Sequence, residues 1–148
     1  MRNARFALFA LVLIAVVACA ARNNDDAPPT GAQDLTPPSE LALLMREMAS
    51  HADSVKAGLA RGDKKLPPYP AGVKKLLTAT PTRDMHIDPI TFPTFATDYQ
   101  AKVAALYKAA RKDRAHAYNA LVLSCANCHT THCPGPMMRI KKMYVKVD

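Results

Sequence analysis

The residues with the clearest chemical potential are Cys125, Cys128 and His129, which form the sequence C-x-x-C-H. Two thiols at this spacing lie on one side of a helical turn, where each can form a thioether with one vinyl group of a haem. The histidine that follows then lies under the haem iron as its proximal ligand. The motif therefore predicts one covalently attached c-type haem.

Two other kinds of site use residues of the same stretch. A tetrahedral zinc site needs four thiolate or imidazole donors, and the stretch offers Cys125, Cys128, His132 and Cys133. A C-x-x-C pair also occurs as a thioredoxin-type redox dithiol. On either alternative the chain is a small adaptor lipoprotein that carries no haem.

The N-terminus has the features of an export signal. Residues 1–5 form a short basic segment with two arginines. Residues 6–18 form an uncharged apolar run that is shorter than the ~20 residues needed to span a bilayer. The run ends in small residues before Cys19, which resembles a bacterial lipobox and predicts a mature chain that begins with a lipidated Cys19. The alternative is ordinary signal cleavage after Ala20, because residues 18–20 also fit the A-x-A pattern.

These features divide the chain into three parts. Residues 1–18 are the lipoprotein-type signal peptide, and residues 19–36 are the lipidated cysteine and a tether that is too polar to fold. Residues 37–148 then form one domain of about 110 residues, which is enough for a hydrophobic core. The predicted location is the periplasmic side of a bacterial envelope membrane, with the protein held by its lipid or, on the alternative cleavage, soluble in the periplasm.

The charge indicates what kind of partner to expect. The formal net charge is +8, of which Arg2 and Arg5 in the signal contribute two. No aromatic-rich or glycine-rich nucleic-acid motif accompanies the basic residues, so we do not expect nucleic-acid binding. The charge fits redox partner proteins with an acidic docking face, or anionic lipid headgroups, or a merely solvated surface.

Composition and periodicity favour helix throughout the domain. Glycine is scarce and tryptophan absent. The first helix is predicted to start with Thr36 as its cap and Pro37 in its first turn, and to end at Gly62; its apolar face is Leu41, Leu44, Met45, Met48, Ala52, Val55 and Leu59. A second, short helix is predicted over residues 71–78, with Val73, Leu76 and Leu77 facing inward.

Two longer helices follow a proline-containing loop over residues 79–93. The third helix is predicted over residues 94–111 and the fourth over residues 115–132, with Asp113 as a cap and a short tail helix over residues 137–145. Their apolar faces are Phe95, Tyr99, Val103, Leu106 and Ala110, and then Tyr118, Leu121, Val122, Cys125, Cys128, His129 and His132. Helices with one apolar face must bury it against one another, which predicts an all-α, antiparallel four-helix bundle.

With its haem motif on the last long helix and a methionine-containing first helix far upstream, the chain resembles the class II c-type cytochromes, cytochrome c-prime and its low-spin relatives. The resemblance rests on Cys125, Cys128, His129, residues 44–51 and residues 61–62. It implies a left-handed four-helix bundle with haem among the helices and the first helix on the distal side.

The resemblance also implies a sixth ligand. Met45 falls where the distal residue over the iron lies in this family, so we predict His129 and Met45 as the axial ligands. One departure concerns the proximal side. Family members often have an arginine four residues after the haem histidine, where this chain has Cys133. The cationic residues that can replace it are Arg139, Lys141 and Lys142.

Other residues offer alternatives as iron ligands. His51 lies near the predicted solvent edge of the first helix, and Met85 and His86 lie in a loop that can fold over the distal face. Met137 and Met138 would have to reach around the haem edge.

The remaining histidines, methionines and cysteine have predicted roles away from the iron. His116 is predicted on the surface, and His132 against the proximal side or a haem propionate. Met48 and Met143 are predicted core residues. Cys133 is either a free buried thiol or pairs between two chains in a homodimer.

The predicted function is electron transfer by a monohaem cytochrome, which is not an enzyme: the iron cycles between ferric and ferrous states and no substrate is transformed. The alternative is a five-coordinate, gas-binding haem protein like cytochrome c-prime. The two differ in whether the iron has a strong sixth ligand.

Overall fold

The computed structural model describes residues 37–147, and all regular structure among them is helical. The all-α class is therefore confirmed for this part of the chain. The predicted signal peptide, Cys19 and the tether lie outside the described residues. Within the described part, no helix is both long enough and apolar enough to cross a membrane.

Within residues 37–147, four α-helices and two 3-10 turns follow one another. The α-helices are α1 (Glu40–Arg61), α2 (Thr91–Lys108), α3 (Arg114–His132) and α4 (Met137–Lys141). The 3-10 turns are Ala71–Lys75, between α1 and α2, and Arg111–Asp113, between α2 and α3. Three helices are thus long, and α4 has little more than one turn.

Helix α1 begins later than predicted and ends where predicted. The Ser39 hydroxyl accepts a hydrogen bond from the backbone N–H of Ala42 at 3.1 Å, so Ser39 is the cap. The predictions of Thr36 as the cap and of Pro37 in the first turn are wrong. Gly62 closes the helix at φ 71°, a left-handed conformation that glycine adopts without strain.

A connector of residues 63–90 brings the chain back to the start of α1. There the backbone N–H of Leu41 donates to the Thr80 carbonyl at 3.0 Å. The predicted helix over residues 71–78 is a 3-10 turn instead. Its i, i+3 spacing buries Val73 and Leu76 and leaves Leu77 outside, so the prediction that Leu77 faces inward is wrong.

Helices α2 and α3 form a hairpin. Asp88 accepts hydrogen bonds from the backbone N–H groups of Ile90 and Thr91, the latter at 2.7 Å, and so fixes the start of α2 three residues before the predicted one. Pro93 is tolerated because it lies in the first turn. Helix α2 ends at Lys108 rather than at residue 111, and Ala110 of the predicted apolar face is exposed. Asp113 makes no side-chain capping bond to α3, contrary to prediction.

Contacts between the helix ends give their directions. Near the end of α1, the Lys64 carbonyl accepts a hydrogen bond from Arg114, at the start of α3, at 2.9 Å. At the other end of α3, His132 bonds to Thr91 at the start of α2. Helices α1 and α2 therefore both run antiparallel to α3. The fully buried residues come from all three long helices and the first 3-10 turn: Val55, Val73, Leu106, Tyr118 and Val122.

Candidate functional site

The last two turns of α3 carry Cys125, Cys128 and His129. The preceding turns fix them, because Tyr118, Leu121 and Val122 are buried in the core and set the rotation of the helix about its axis. As the C-x-x-C-H spacing predicts, the two cysteines and the histidine lie along the wall of one cavity. Their role in holding a haem stays a prediction.

The cavity has a volume of about 200 Å³ and is open to solvent on one side. All four α-helices contribute to its mostly apolar wall, together with Leu76, Pro136 and Met143. The helical residues of the wall are Met45, Arg46, Met48, Ala49, Phe92, Phe95, Ala96, Tyr99, Ser124, Cys125, Cys128, His129, Arg139 and Ile140.

The side chain of His129 is oriented by a backbone carbonyl. Its Nδ1 lies 2.8 Å from the carbonyl oxygen of Cys133. A carbonyl can only accept a hydrogen bond, so Nδ1 carries the proton and Nε2 keeps a free lone pair. Metal-binding histidines commonly have this arrangement, in which a hydrogen bond at one ring nitrogen fixes the tautomer and leaves the other nitrogen to the metal.

Met45 borders the same space as His129. A second, smaller apolar cavity adjoins the first, and Met45, Phe92, Cys128 and His129 line both. Met45 is half-buried on α1. The structure thus brings the two predicted axial ligands to one site from different helices. The Met45 thioether is a soft donor of the kind that haem iron accepts.

The two cysteine thiols lie in surroundings unlike those of a redox dithiol. Burial, followed by the charge of Cys128, raises the pKa of the Cys125 thiol to about 12. Burial and then Cys133 also raise the pKa of Cys128. Reactive dithiols have lowered pKa values and lie at helix N-termini, whereas these cysteines lie near a C-terminus. The environment does not favour the dithiol alternative.

The donors of the alternative zinc site do not converge. Across residues 37–147, no three histidine, cysteine, aspartate or glutamate side chains form a group that could hold a metal ion. His132 is instead engaged elsewhere. The Thr91 hydroxyl donates to Asp88 at 2.9 Å, so it accepts from His132 Nε2, at 3.3 Å. The rings of Phe92 and Phe95 lie edge-on to His132, which fastens the end of α3 to the start of α2.

Most alternative iron ligands lie away from the larger cavity. His86 and His116 are exposed, the latter as predicted, and Met138 is 77% exposed. Met85 reaches only the smaller cavity. Met137 is half-buried, with its sulfur 3.9 Å from the Thr130 hydroxyl.

Met48 and Met143 are buried, as predicted for core residues, and they also line the larger cavity. Cys133 is half-buried and lines the smaller cavity. The thiols of residues 37–147 are all unpaired. Cys133 is thus a free thiol here, and its pairing between chains stays a prediction.

His51 was predicted at the solvent edge, and that prediction is wrong: it is 7% exposed and lies outside both cavities. The Tyr107 hydroxyl donates to the Pro67 carbonyl and therefore accepts from His51 Nε2, at 2.8 Å. His51 Nδ1 is then a buried acceptor without a hydrogen-bond partner. The sequence pattern missed this because the rings of Tyr69 and Tyr107 reach His51 from the connector and from α2.

We expect His51 to make the stability of the fold fall in mild acid. Burial lowers the pKa of His51 in the folded state, opposed in part by Glu47. The unfolded chain then binds a proton that the fold does not, so the free energy of unfolding decreases by up to about 1.4 kcal/mol per pH unit below about pH 6.5. Urea unfolding between pH 5 and 8 tests this. His51→Gln should flatten the profile, and His116→Gln, on the surface, should not. Equal slopes in wild type and His51→Gln would contradict the assignment.

Two arginines also line the larger cavity. Arg139 was predicted as a replacement for the missing family arginine, and its guanidinium pairs with Asp53 at 2.6 Å. Arg46 was not predicted, because the helical pattern places it off the apolar face of α1, next to Met45. Lys141 and Lys142, the other predicted replacements, are exposed and lie outside both cavities.

Comparisons of the chain with protein-family models, with curated proteins and with solved structures found no match. The resemblance to the class II cytochromes therefore stays a prediction that rests on the residues of this chain.

Proposed function

We propose that this protein is a monohaem c-type cytochrome that transfers electrons in the bacterial cell envelope. The observation that carries the proposal is the arrangement of His129: its Nδ1 is bonded to the Cys133 carbonyl, its Nε2 is free, and both cysteines of its motif line the same apolar cavity. A covalent haem needs these three groups together beside an apolar space.

Each wall of the cavity has a part in holding the haem. Cys125 and Cys128 attach the ring, and His129 and Met45 ligate the iron. Arg46 and Arg139 supply positive charge for the two propionates, in place of the arginine that the family has on the proximal side. The apolar residues exclude water from the ring. The haem itself supplies the chemistry, an iron that alternates between ferric and ferrous states, so no substrate needs a site.

We also propose where the protein is located in the cell and how its helices form a bundle. The signal sequence exports the chain, and the lipid on Cys19 holds residues 37–148 near the membrane through the tether. The connector of residues 63–90 would take the place of one long helix of a four-helix bundle, and haem would occupy the larger cavity, which the three long helices and α4 line.

A gas-binding haem protein is the second candidate, and the smaller cavity favours it. That cavity adjoins Met45 and His129, and its wall is almost wholly apolar. If Met45 does not ligate the iron, a small uncharged molecule has space beside it. The spin state of the iron distinguishes the two functions.

The experiment that tests haem binding is a pyridine haemochrome spectrum. The full chain is expressed in bacteria with and without the haem-attachment machinery, and the exported protein is purified. We expect one c-type haem per chain, and none when the machinery is absent. Well-folded exported protein without haem would overturn both functions and return the zinc or dithiol adaptor to consideration.

A further inference from the structure

The chain beyond α3 forms one wall of the cavity. We call residues 137–147 the C-terminal cover; it comprises α4 and the extended residues after it. Ile140 and Met143 of the cover are buried and line the larger cavity. The tail helix was predicted to reach residue 145, but α4 ends at Lys141, and Val145 is hydrogen-bonded to Asn119 of α3 instead.

Hydrogen bonds and an ion pair fix the C-terminal cover to two helices. The Asn119 side chain donates to the Val145 carbonyl at 2.9 Å and accepts from the Val145 N–H at 3.0 Å. On the side of α1, Lys56 donates to the Lys142 carbonyl, and Arg139 pairs with Asp53. Groups on the outer face of the cover are therefore held in fixed positions over the cavity.

The outer face of the C-terminal cover is strongly basic. Residues 137–147 include no acidic residue, and Lys141, Lys142 and Lys146 are exposed, whereas the exposed Arg139 is paired with Asp53. Met138, Tyr144 and Val147 lie exposed among these charges. Basic charge around a small apolar centre is suited to brief encounters, because complementary charge raises the association rate while a small contact area keeps release fast.

We infer that the outer face of the C-terminal cover is the docking surface for an acidic electron-transfer protein. This inference rests on the proposed function and names the kind of partner and where it binds. Ile140 and Met143 of the same segment line the larger cavity, so a partner docked on the cover would contact a segment that forms part of the cavity wall. A lipid surface held at the same place would block that approach, which favours a protein with clustered carboxylates as the occupant.

The test compares charge reversal on the cover with the same reversal elsewhere. The cover variant is Lys141→Glu with Lys142→Glu. The control is Lys108→Glu with Lys112→Glu, two exposed residues just before the start of α3, and that start lies about 22 Å along the helix axis from His129. The full-length reduced holoprotein is mixed with hexacyanoferrate(III), and haem oxidation is followed by stopped flow. An anionic oxidant stands in for the carboxylates of the partner.

At 0.1 M ionic strength, where the Debye length is about 10 Å, we expect the cover variant to be oxidised about tenfold more slowly and the control within about twofold of wild type. The difference should disappear at 1 M salt. A cationic cobalt(III) complex should oxidise the cover variant faster than wild type. An acidic blue-copper protein, used as a macromolecular probe, should repeat the hexacyanoferrate result. If the glutamate variant misfolds, the matched glutamine variant should show a smaller effect in the same direction.

Equal slowing in the cover variant and the control would show a net-charge effect and overturn the docking surface. Vesicles of phosphatidylcholine with and without phosphatidylglycerol provide the other comparison. If charge reversal on the cover abolishes binding to the anionic vesicles and leaves all oxidation rates unchanged, the cover is a lipid contact and the inference fails. A chain that acquires no haem would overturn the proposed function and this inference with it, whereas a normal holoprotein with unchanged rates would overturn this inference alone.

Discussion

Cys125→Ala is expected to prevent stable haem attachment and to lower the amount of folded, exported protein about tenfold. The reason is the apolar cavity of about 200 Å³, whose wall the haem would cover. Without haem, its walls lose their packing partners, and cavities in a core cost stability in proportion to their volume. Immunoblots and haem staining of the periplasmic and membrane fractions measure both effects, and Cys128→Ala should behave in the same way.

The matched control is Cys133→Ala. Cys133 lies in the same stretch and is half-buried, but it contributes its backbone carbonyl, which alanine retains, to His129. Haem content and protein level should therefore stay close to wild type. Cys125→Ala protein that accumulates normally with an unchanged helical circular dichroism spectrum would show that the fold does not depend on haem.

Local signals explain how well the helices were predicted. Helix α1 has a long apolar periodicity and ends at a glycine, so its existence and its end were predicted correctly. Its start was predicted too early because threonine and serine are both residue types that commonly cap helices, so Thr36 and Ser39 were equally suitable by sequence. Only the hydrogen bond from the Ala42 N–H to the Ser39 hydroxyl identifies Ser39 as the cap. The predicted start of α2 was wrong because the Asp88 carboxylate accepts hydrogen bonds from the N–H groups of Ile90 and Thr91, and Asp88 lies before the apolar pattern begins.

The prediction of an α-helix over residues 71–78 was wrong because tertiary packing determines the structure of this segment. A short apolar pattern with Val73, Leu76 and Leu77 fits one turn of an α-helix or of a 3-10 helix. The prolines at 67, 68 and 70 shorten the segment. The connector must also bring Thr80 back to Leu41 at the start of α1, and that distance requires a chain more extended than an α-helix. Nothing in the local sequence specifies that return.

The candidate site was predictable where one motif defines it and not where separate elements meet. The spacing of C-x-x-C-H places three side chains on one face of α3. The bond between His129 and the Cys133 carbonyl depends on how the chain leaves the helix, which periodicity does not describe. The buried position of His51 likewise depends on Tyr107 of α2, 56 residues away in sequence.

Met45→Ala is expected to convert a low-spin ferric protein completely into a high-spin one. Met45 and His129 line the same two cavities from different helices, and a thioether on the side opposite a proximal histidine is the ligand set of many electron carriers. The wild type should show the weak methionine–iron band in the near-red and bind carbon monoxide slowly. The variant should lose the band, bind carbon monoxide fast and have a lower reduction potential, because His/Met ligation raises it.

Met48→Ala separates ligation from packing. Met48 lies one turn further along α1, is more deeply buried and lines the larger cavity, but it does not border the smaller one with His129. Its replacement should lower the free energy of unfolding by about 2–5 kcal/mol and leave the low-spin spectrum intact. A low-spin spectrum lost in Met48→Ala and kept in Met45→Ala would reassign the ligand. A wild type that is already high-spin would reject both methionines, and the apolar space beside Met45 would then serve a gaseous ligand.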